Sequence, residues 1–391
     1  MSSTTTQLAL INGRIVLPDQ VIESGQVIID QGKIAAVSAT ARTPTSETID
    51  LAGATVYPGF IDAHIHGSAG IDVMNASSEV LGQVSAFLVT QGVTSWLPTL
   101  VPAADDEYRS AVTAIDKASA DAKDGARIVG LHYEGPFVNS AQCGALHGEH
   151  FKTYGAPRDL DQLSIPQNAP VRMITLAPEI EGGIELVSEL LRRGWIVSIG
   201  HTRADESVLD QAFRAGARHM THFMNAMPQL HHRQPGPVGW GLSRDDVTCD
   251  IIADGIHLHP LTLRMLMRAK GPGGLSLISD AIAAAGKGDG DYQIWGETIT
   301  VKNSRTSNAR GSIAGSVITM LDAVRMMRSI GATEVESARI ASTNPARLLR
   351  LEHECGSIEE GKRADLVALD NDLNVKLTIV GGKIVYHPRN F

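Results

Sequence analysis

The sequence predicts an α/β protein, a (β/α)8, TIM-like barrel with a small β domain formed from both chain ends, and three observations carry that expectation. Through the middle of the chain, apolar strand-like runs alternate with amphipathic helical stretches, the rhythm of parallel strands joined by helical crossovers. Eight such runs occur: Gly59–His64, Thr94–Pro98, Ile128–Glu134, Val171–Leu176, Ile196–Gly200, His219–His222, Ile251–Ala253 and Leu275–Ser279. The 391 residues leave room for one barrel of about 250 residues and a smaller companion.

Taken in chain order, the first stretch reads as short strands at Leu8–Asn12, Gln26–Asp30 and Lys33–Val37, ended by turn pairs such as Asn12-Gly13 and Gln31-Gly32. No helical period appears before residue 58. The chain end has the same character: Ala364–Asp370 and Leu377–Tyr386 are rich in β-branched residues and broken by Gly381-Gly382. The two ends are therefore expected to join as a discontinuous β domain, 1–57 with 350–391, around a catalytic barrel at 58–349. Between the barrel strands, Ile184–Arg193 carries Ile184, Val187, Leu190 and Leu191 on one helical face. Gly-rich Ala283–Gly290 and Asn303–Gly315 are expected to be mobile or ligand-covering loops.

Composition excludes several classes of function. Hydrophobic residues at 43% and charged residues at 20% describe a chain able to bury a core, not a disordered one. Acidic residues outnumber basic ones, 43 to 34, giving a net charge of −9 without a long basic run, so nucleic acid is not an expected partner. No stretch approaches the roughly 18 uninterrupted apolar residues of a membrane span, and the start lacks a basic segment followed by an apolar one; a cytoplasmic protein without membrane association is expected. Cys143, Cys249 and Cys355 are odd in number and widely spaced, which fits reduced thiols.

Chemistry enters at the ends of the strands. Pro58–Gly67 is an apolar strand that finishes in His64-Ile65-His66, and residues two apart on a strand face the same side. Neutral imidazoles so placed suit a divalent metal such as Zn, Fe or Co. An isolated pair would serve equally well as hydrogen-bonding residues in a polar loop. Further donors finish other strands, however: Glu134, His201, His222 and Asp280. Since the strand ends of a barrel converge on one face, all six side chains are expected around one point. Read singly, Glu134 and Asp280 could cap helices, and His201 and His222 could satisfy loop carbonyls.

With the motifs His132–Phe137, Gly200-His201-Thr202, Thr221–Met227, Ala253–His257 and Ser279-Asp280-Ala281, the chain resembles the amidohydrolase superfamily. Within it, the chain is similar to the N-acetylglucosamine-6-phosphate deacetylases, over essentially its whole length. Many superfamily members bridge two metals with a carboxylated lysine after strand four; here that position reads Thr175-Leu176-Ala177-Pro178-Glu179, without a lysine. The resemblance implies that Glu134, His201 and His222 hold the principal metal. Retention of both His64 and His66 implies that one or two ions bind, with Glu134 bridging when there are two. Zn is the expected metal, with Fe, Mn or Co also accommodated by these ligands. Asp280 is expected to take a proton from the attacking water and return it to the amide nitrogen.

The resemblance also implies an amino-sugar phosphate substrate. Asn225 and the backbone of Ala226 match sugar-contacting positions, His257 a phosphate-side position, and Arg233 an arginine that reaches phosphate across a homodimer interface. After strand three, Cys143-Gly144-Ala145-Leu146-His147 departs from the family pattern. Leu146 stands where histidine or glutamine usually follows the pair ending at Ala145, and His147, one residue late, is kept as a candidate. Two other functions stay open: deacetylation of the epimeric N-acetylgalactosamine 6-phosphate, and a non-catalytic assembly role on the same barrel. Retention of His201, His222, Glu134 and Asp280 speaks against the second.

Overall fold

The computed structural model describes residues 7–39, 47–121 and 124–388; of the expected β domain, 1–6, 40–46 and 389–391 lie outside the described residues. Eight parallel strands succeed one another around a barrel: Phe60–Ile65, Val93–Leu100, Gly130–Glu134, Val171–Leu176, Ile196–Ile199, His219–Met220, Thr248–Ile252 and Leu275–Ile278. Each expected run is found; the sixth is shorter than expected, ending at Met220 so that His222 lies in the loop beyond it, and the seventh starts earlier.

The first and eighth strands meet without a continuous ladder. The Asp280 N–H donates to the His64 carbonyl at 2.9 Å, and Ile65 bridges Ala281 in parallel. Asp62 completes the closure by accepting from Ser279 Oγ at 2.6 Å and from the Ser279 N–H at 3.2 Å. Burial pushes the Asp62 carboxyl up to about 7, against these hydrogen bonds.

Helices pack outside the strands through apolar faces. In Gly183–Arg192, Leu186, Val187 and Leu190 are buried, with Ile184 and Leu191 half-buried beside them. The helix stops where Gly194 turns to φ 82°, a conformation that favours glycine. Fully buried Trp96, Tyr108, Tyr133, Phe60 and Phe223 belong to the same core, each contributing on the order of 2 kcal/mol by leaving water.

Both chain ends enter a second sheet, in the order Lys383–Tyr386, Val375–Val380, Leu366–Leu369, Thr55–Pro58, Leu8–Val16, Val21–Asp30 and Lys33–Ser38, with Glu47–Asp50 beside Leu8–Val16. Its core is its own, including Leu10, Ile15, Val27, Ile34, Val56 and Ile379. Because Thr55–Pro58 runs directly into Phe60–Ile65, this sheet is continuous in chain with the first barrel strand.

The two segments expected to be mobile or ligand-covering loops, Ala283–Gly290 and Asn303–Gly315, flank and partly overlap further strands after strand eight. The chain there forms a three-stranded antiparallel sheet, Gly290–Ile294, Glu297–Lys302 and Arg305–Ser307, and Ala283, Ala284 and Ala285 are buried. Ile294, Ile299 and Val301 face a small core shared with Ala145, which anchors the segment. Among the described residues, no helix is long and apolar enough to cross a membrane.

Candidate metal and active site

The six strand-end donors meet at the mouth of the barrel, all of them buried. Glu134 ends its strand, whereas His201, His222 and Asp280 lie just past theirs at φ 48°, 30° and 50°. A left-handed residue reverses the chain at once, which turns each of these side chains back over the barrel axis.

Two trios result. His201 Nε2 and His222 Nε2 each lie 3.0 Å from Glu134 Oε1 and 3.0 Å from each other. His64 Nε2 and His66 Nε2 are 3.2 Å apart, and lie 3.4 and 3.3 Å from Asp280 Oδ1. Glu134 joins the two, with Oε1 3.6 Å from His64 Nε2 and Oε2 3.4 Å from His66 Nε2.

This donor set fits a divalent metal. The Nδ1 of His201 donates to the Gln142 carbonyl at 2.8 Å and that of His66 to the Thr99 carbonyl at 3.1 Å. Those bonds place a ring proton on Nδ1 and leave the Nε2 lone pair facing the cluster, the arrangement of a ligating imidazole. Three atoms mutually 3.0 Å apart cannot all be linked by hydrogens, yet they leave a common point about 2 Å from each, the length of a Zn–N or Zn–O bond.

The two buried carboxylates draw positive charge to the cluster. Burial disfavours charge on His66, but Asp280 and Glu134 outweigh it and hold the ring up to about 10. Burial would raise the Glu134 carboxyl; the surrounding histidines reverse this and hold it well below the usual carboxylate range. Under the cluster lies His132, its ring edge-on to His64 at 4.7 Å and pushed down to about 3 by burial. Its Nε2 meets Thr175 Oγ1 at 2.8 Å, which meets Thr221 Oγ1 at 2.7 Å, giving the cluster a neutral, hydrogen-bonded floor.

Above the cluster opens a cavity of about 300 Å³, whose lining includes Ala145, Asn225, Ala226 and His257 together with His66, Glu134, His201, His222 and Asp280. His257 is fixed by Asp254, which lies 2.6 Å from its Nδ1. Two of the residues singled out in the sequence lie elsewhere. His147 is not part of the lining; its Nε2 faces Glu297 at 3.6 Å, and Leu146 lines the cavity instead. Arg233 is exposed, its guanidinium 2.9 Å from His232 Nε2, in a separate groove with Pro228 and His231.

Ser312, Ile313 and Gly315, in a segment expected to be a mobile or ligand-covering loop, line the cavity, and Trp295 lines it without having been anticipated. The alternation Ile299-x-Val301 after a Gly296 turn was the available signal for the hairpin that carries Trp295. Glu179, which stands in the segment where a bridging lysine was sought, instead ties two loops together, accepting from Asn139 Nδ2 at 2.8 Å, Thr202 Oγ1 at 2.6 Å and the Arg203 N–H at 2.6 Å.

A closed barrel with imidazoles and carboxylates converging at its mouth defines the class: a metal-dependent hydrolase. The amidohydrolase family profile matches residues 55–385. The chain is 38% identical over 381 residues to the N-acetylglucosamine-6-phosphate deacetylase of Bacillus subtilis (strain 168), covering 95% of each. It is 34% identical over 372 residues to the N-acetylgalactosamine-6-phosphate deacetylase of Escherichia coli O157:H7, covering 95% of this chain and 97% of that one. The solved N-acetylglucosamine-6-phosphate deacetylase of Thermotoga maritima superposes with a TM-score of 0.88 at 33% identity, covering 97% of this chain and 99% of that one. The chain belongs to the N-acetylglucosamine-6-phosphate deacetylase family of the amidohydrolases.

Proposed function

We propose that the protein hydrolyses the acetamide of N-acetyl-D-glucosamine 6-phosphate to glucosamine 6-phosphate and acetate. The observation that carries this reading is one cavity in which His66, Glu134, His201, His222 and Asp280 lie beside Asn225, Ala226 and His257. In this reading Glu134, His201 and His222 would hold a zinc ion, and His64 and His66 would be the ligands for a second where two are bound. Such an ion polarises an amide carbonyl and makes water acidic near neutral pH.

The chain's own residues do the rest. Asp280 accepts a proton from the attacking water and delivers it to the amide nitrogen as the C–N bond breaks, so acetate and a free amine leave. Backbone carbonyls of Gln142 and Thr99 keep His201 and His66 in one tautomer and orientation through the cycle. Asn225, the Ala226 backbone and His257 orient the sugar. No lysine or arginine is among the described residues lining the cavity, which supports Arg233 of a second copy meeting the phosphate in a homodimer. The boundaries 57/58 and 349/350 and a cytoplasmic location belong to the same reading.

The test is acetate release from N-acetylglucosamine 6-phosphate, its galacto epimer and unphosphorylated N-acetylglucosamine, with elemental analysis of the purified protein. The gluco phosphate is expected to have the highest kcat/KM. A higher value for the galacto epimer would reassign the sugar, and no acetate from any of them would remove the activity.

A further inference from the structure

The turn joining Gly290–Ile294 to Glu297–Lys302 consists of Trp295 and Gly296, at φ 52° and 77°. Two-residue turns with both φ values positive favour Asn, Asp or Gly at the first place, because a larger side chain is strained there. A tryptophan in that conformation is an outlier, and strain held next to a site is a pointer to function. Its indole is half-buried, lines the mouth cavity and meets the His66 ring edge-on at 5.1 Å.

Two other apolar side chains of some size line the same cavity, Leu146 and Ile313. The loop carrying Leu146 and the hairpin carrying Trp295 are fastened together. Arg310 Nη2 donates to the Ala145 carbonyl at 3.0 Å, His147 faces Glu297 at 3.6 Å, and Ala145 packs in one cluster with Ile294. His147 thus has a place as a latch of this roof.

An N-acylated sugar phosphate has a polar end, a central amide and a small apolar end. With the amide at the metal-ligand cluster, the polar end takes the side of Asn225 and His257, on the loops after strands six and seven. Trp295 comes from the segment after strand eight and touches His66 at the end of strand one, so the acyl end meets the apolar roof.

We propose that Trp295 is a specificity-determining residue whose indole, with Leu146 and Ile313, walls a subsite for the acyl methyl and admits acyl groups no larger than acetyl. The inference rests on the deacetylase reading and specifies its acyl side. It also gives Leu146 a reason to stand where related sequences lead one to expect a polar residue.

The test compares the metal-loaded parent with Trp295→Gly and Trp295→Phe on N-acetyl-, N-propionyl- and N-butyrylglucosamine 6-phosphate. Trp295→Gly is expected to raise the butyryl-to-acetyl ratio of kcat/KM by about tenfold or more, and Trp295→Phe by less than about threefold, with metal content unchanged in both. Parent-like ratios in a folded, metal-loaded Trp295→Gly enzyme overturn the wall.

A second readout needs no turnover. Trp96, Trp195 and Trp240 are only 0%, 4% and 5% exposed, so Trp295 should dominate any ligand-induced change in tryptophan emission. Metal-loaded Asp280→Asn enzyme given N-acetylglucosamine 6-phosphate should show such a change, and the added Trp295→Phe substitution should abolish it. Persistence of the change in the double variant overturns the proposal. Failure of the parent to release acetate from the acetyl substrate removes the activity reading and this inference with it, whereas parent activity with unaltered selectivity removes the wall alone.

Discussion

The barrel carries a cavity at each end, about 300 Å³ at the mouth and about 290 Å³ at the base, and both contain histidine. At the base, His219 Nδ1 meets Thr248 Oγ1 at 2.6 Å and its Nε2 lies 2.9 Å from Asp250 Oδ2. Each ring nitrogen there has a neighbour of its own, and among the described residues no third ligand-type side chain converges on them. At the mouth, imidazole nitrogens and carboxylate oxygens crowd together more closely than protons alone can reconcile. Size does not separate the two ends; the surplus of converging lone pairs does.

The difference is broken or sharpened most strongly at Asp280. Asp280→Asn is expected to lower kcat by about a thousandfold with metal content nearly intact, as measured by acetate release and elemental analysis. Near-normal turnover would remove Asp280 from proton transfer. Removing the metal with a chelator comes next: activity should vanish and the thermal midpoint should fall. Returning metal to about a hundred times its Kd should restore about 2.7 kcal/mol of stability, a binding contribution read by thermal melts at several metal concentrations.

At the base the expected signs reverse. Asp250→Asn leaves buried His219 with a poorer partner and should cost about 1–3 kcal/mol in denaturant melts, while kcat of the metal-loaded enzyme stays within about twofold. A large loss of kcat with stability intact would mean that the base takes part in catalysis.

The smallest effect concerns thiols. Burial pushes Cys249, at the start of the seventh strand, and Cys355 up to about 12, so both stay protonated through neutral pH and resist alkylation. Partly exposed Cys143, in the loop beside the mouth, should label first. Mass spectrometry after brief maleimide treatment of the folded protein at pH 7.5 should find a single adduct, at Cys143.

The mouth was legible from sequence where chemistry follows strand periodicity. His64 and His66 share a face because they are two apart, and Glu134, His201, His222 and Asp280 are conspicuous as polar residues closing apolar runs. Trp295 was not legible, because glycines on either side of its hairpin suggested loop, and the alternation of Ile299 and Val301 is short. His132 was hidden for another reason: it sits inside a strand, where a histidine reads as ordinary core until its neighbours Thr175 and Thr221 are known. Arg233 stands exposed in a groove apart from the mouth, a separation that its place in the sequence did not show. The His219–Asp250 pair, spread over two strands, had no sequence signature at all.

The left-handed turns at His201, His222 and Asp280 have a consequence for how such a barrel changes over time. Each costs about 1–2 kcal/mol relative to an unstrained residue, a cost that glycine at the same place would largely avoid. As long as catalysis is under selection, that gain is out of reach, because glycine carries no imidazole or carboxylate. Once selection for turnover is relaxed, these three positions become the ones where mutation toward glycine or asparagine is rewarded by a sturdier fold. A lineage that had retired from chemistry would therefore be expected to record it first at the strand ends, and this chain carries no such record.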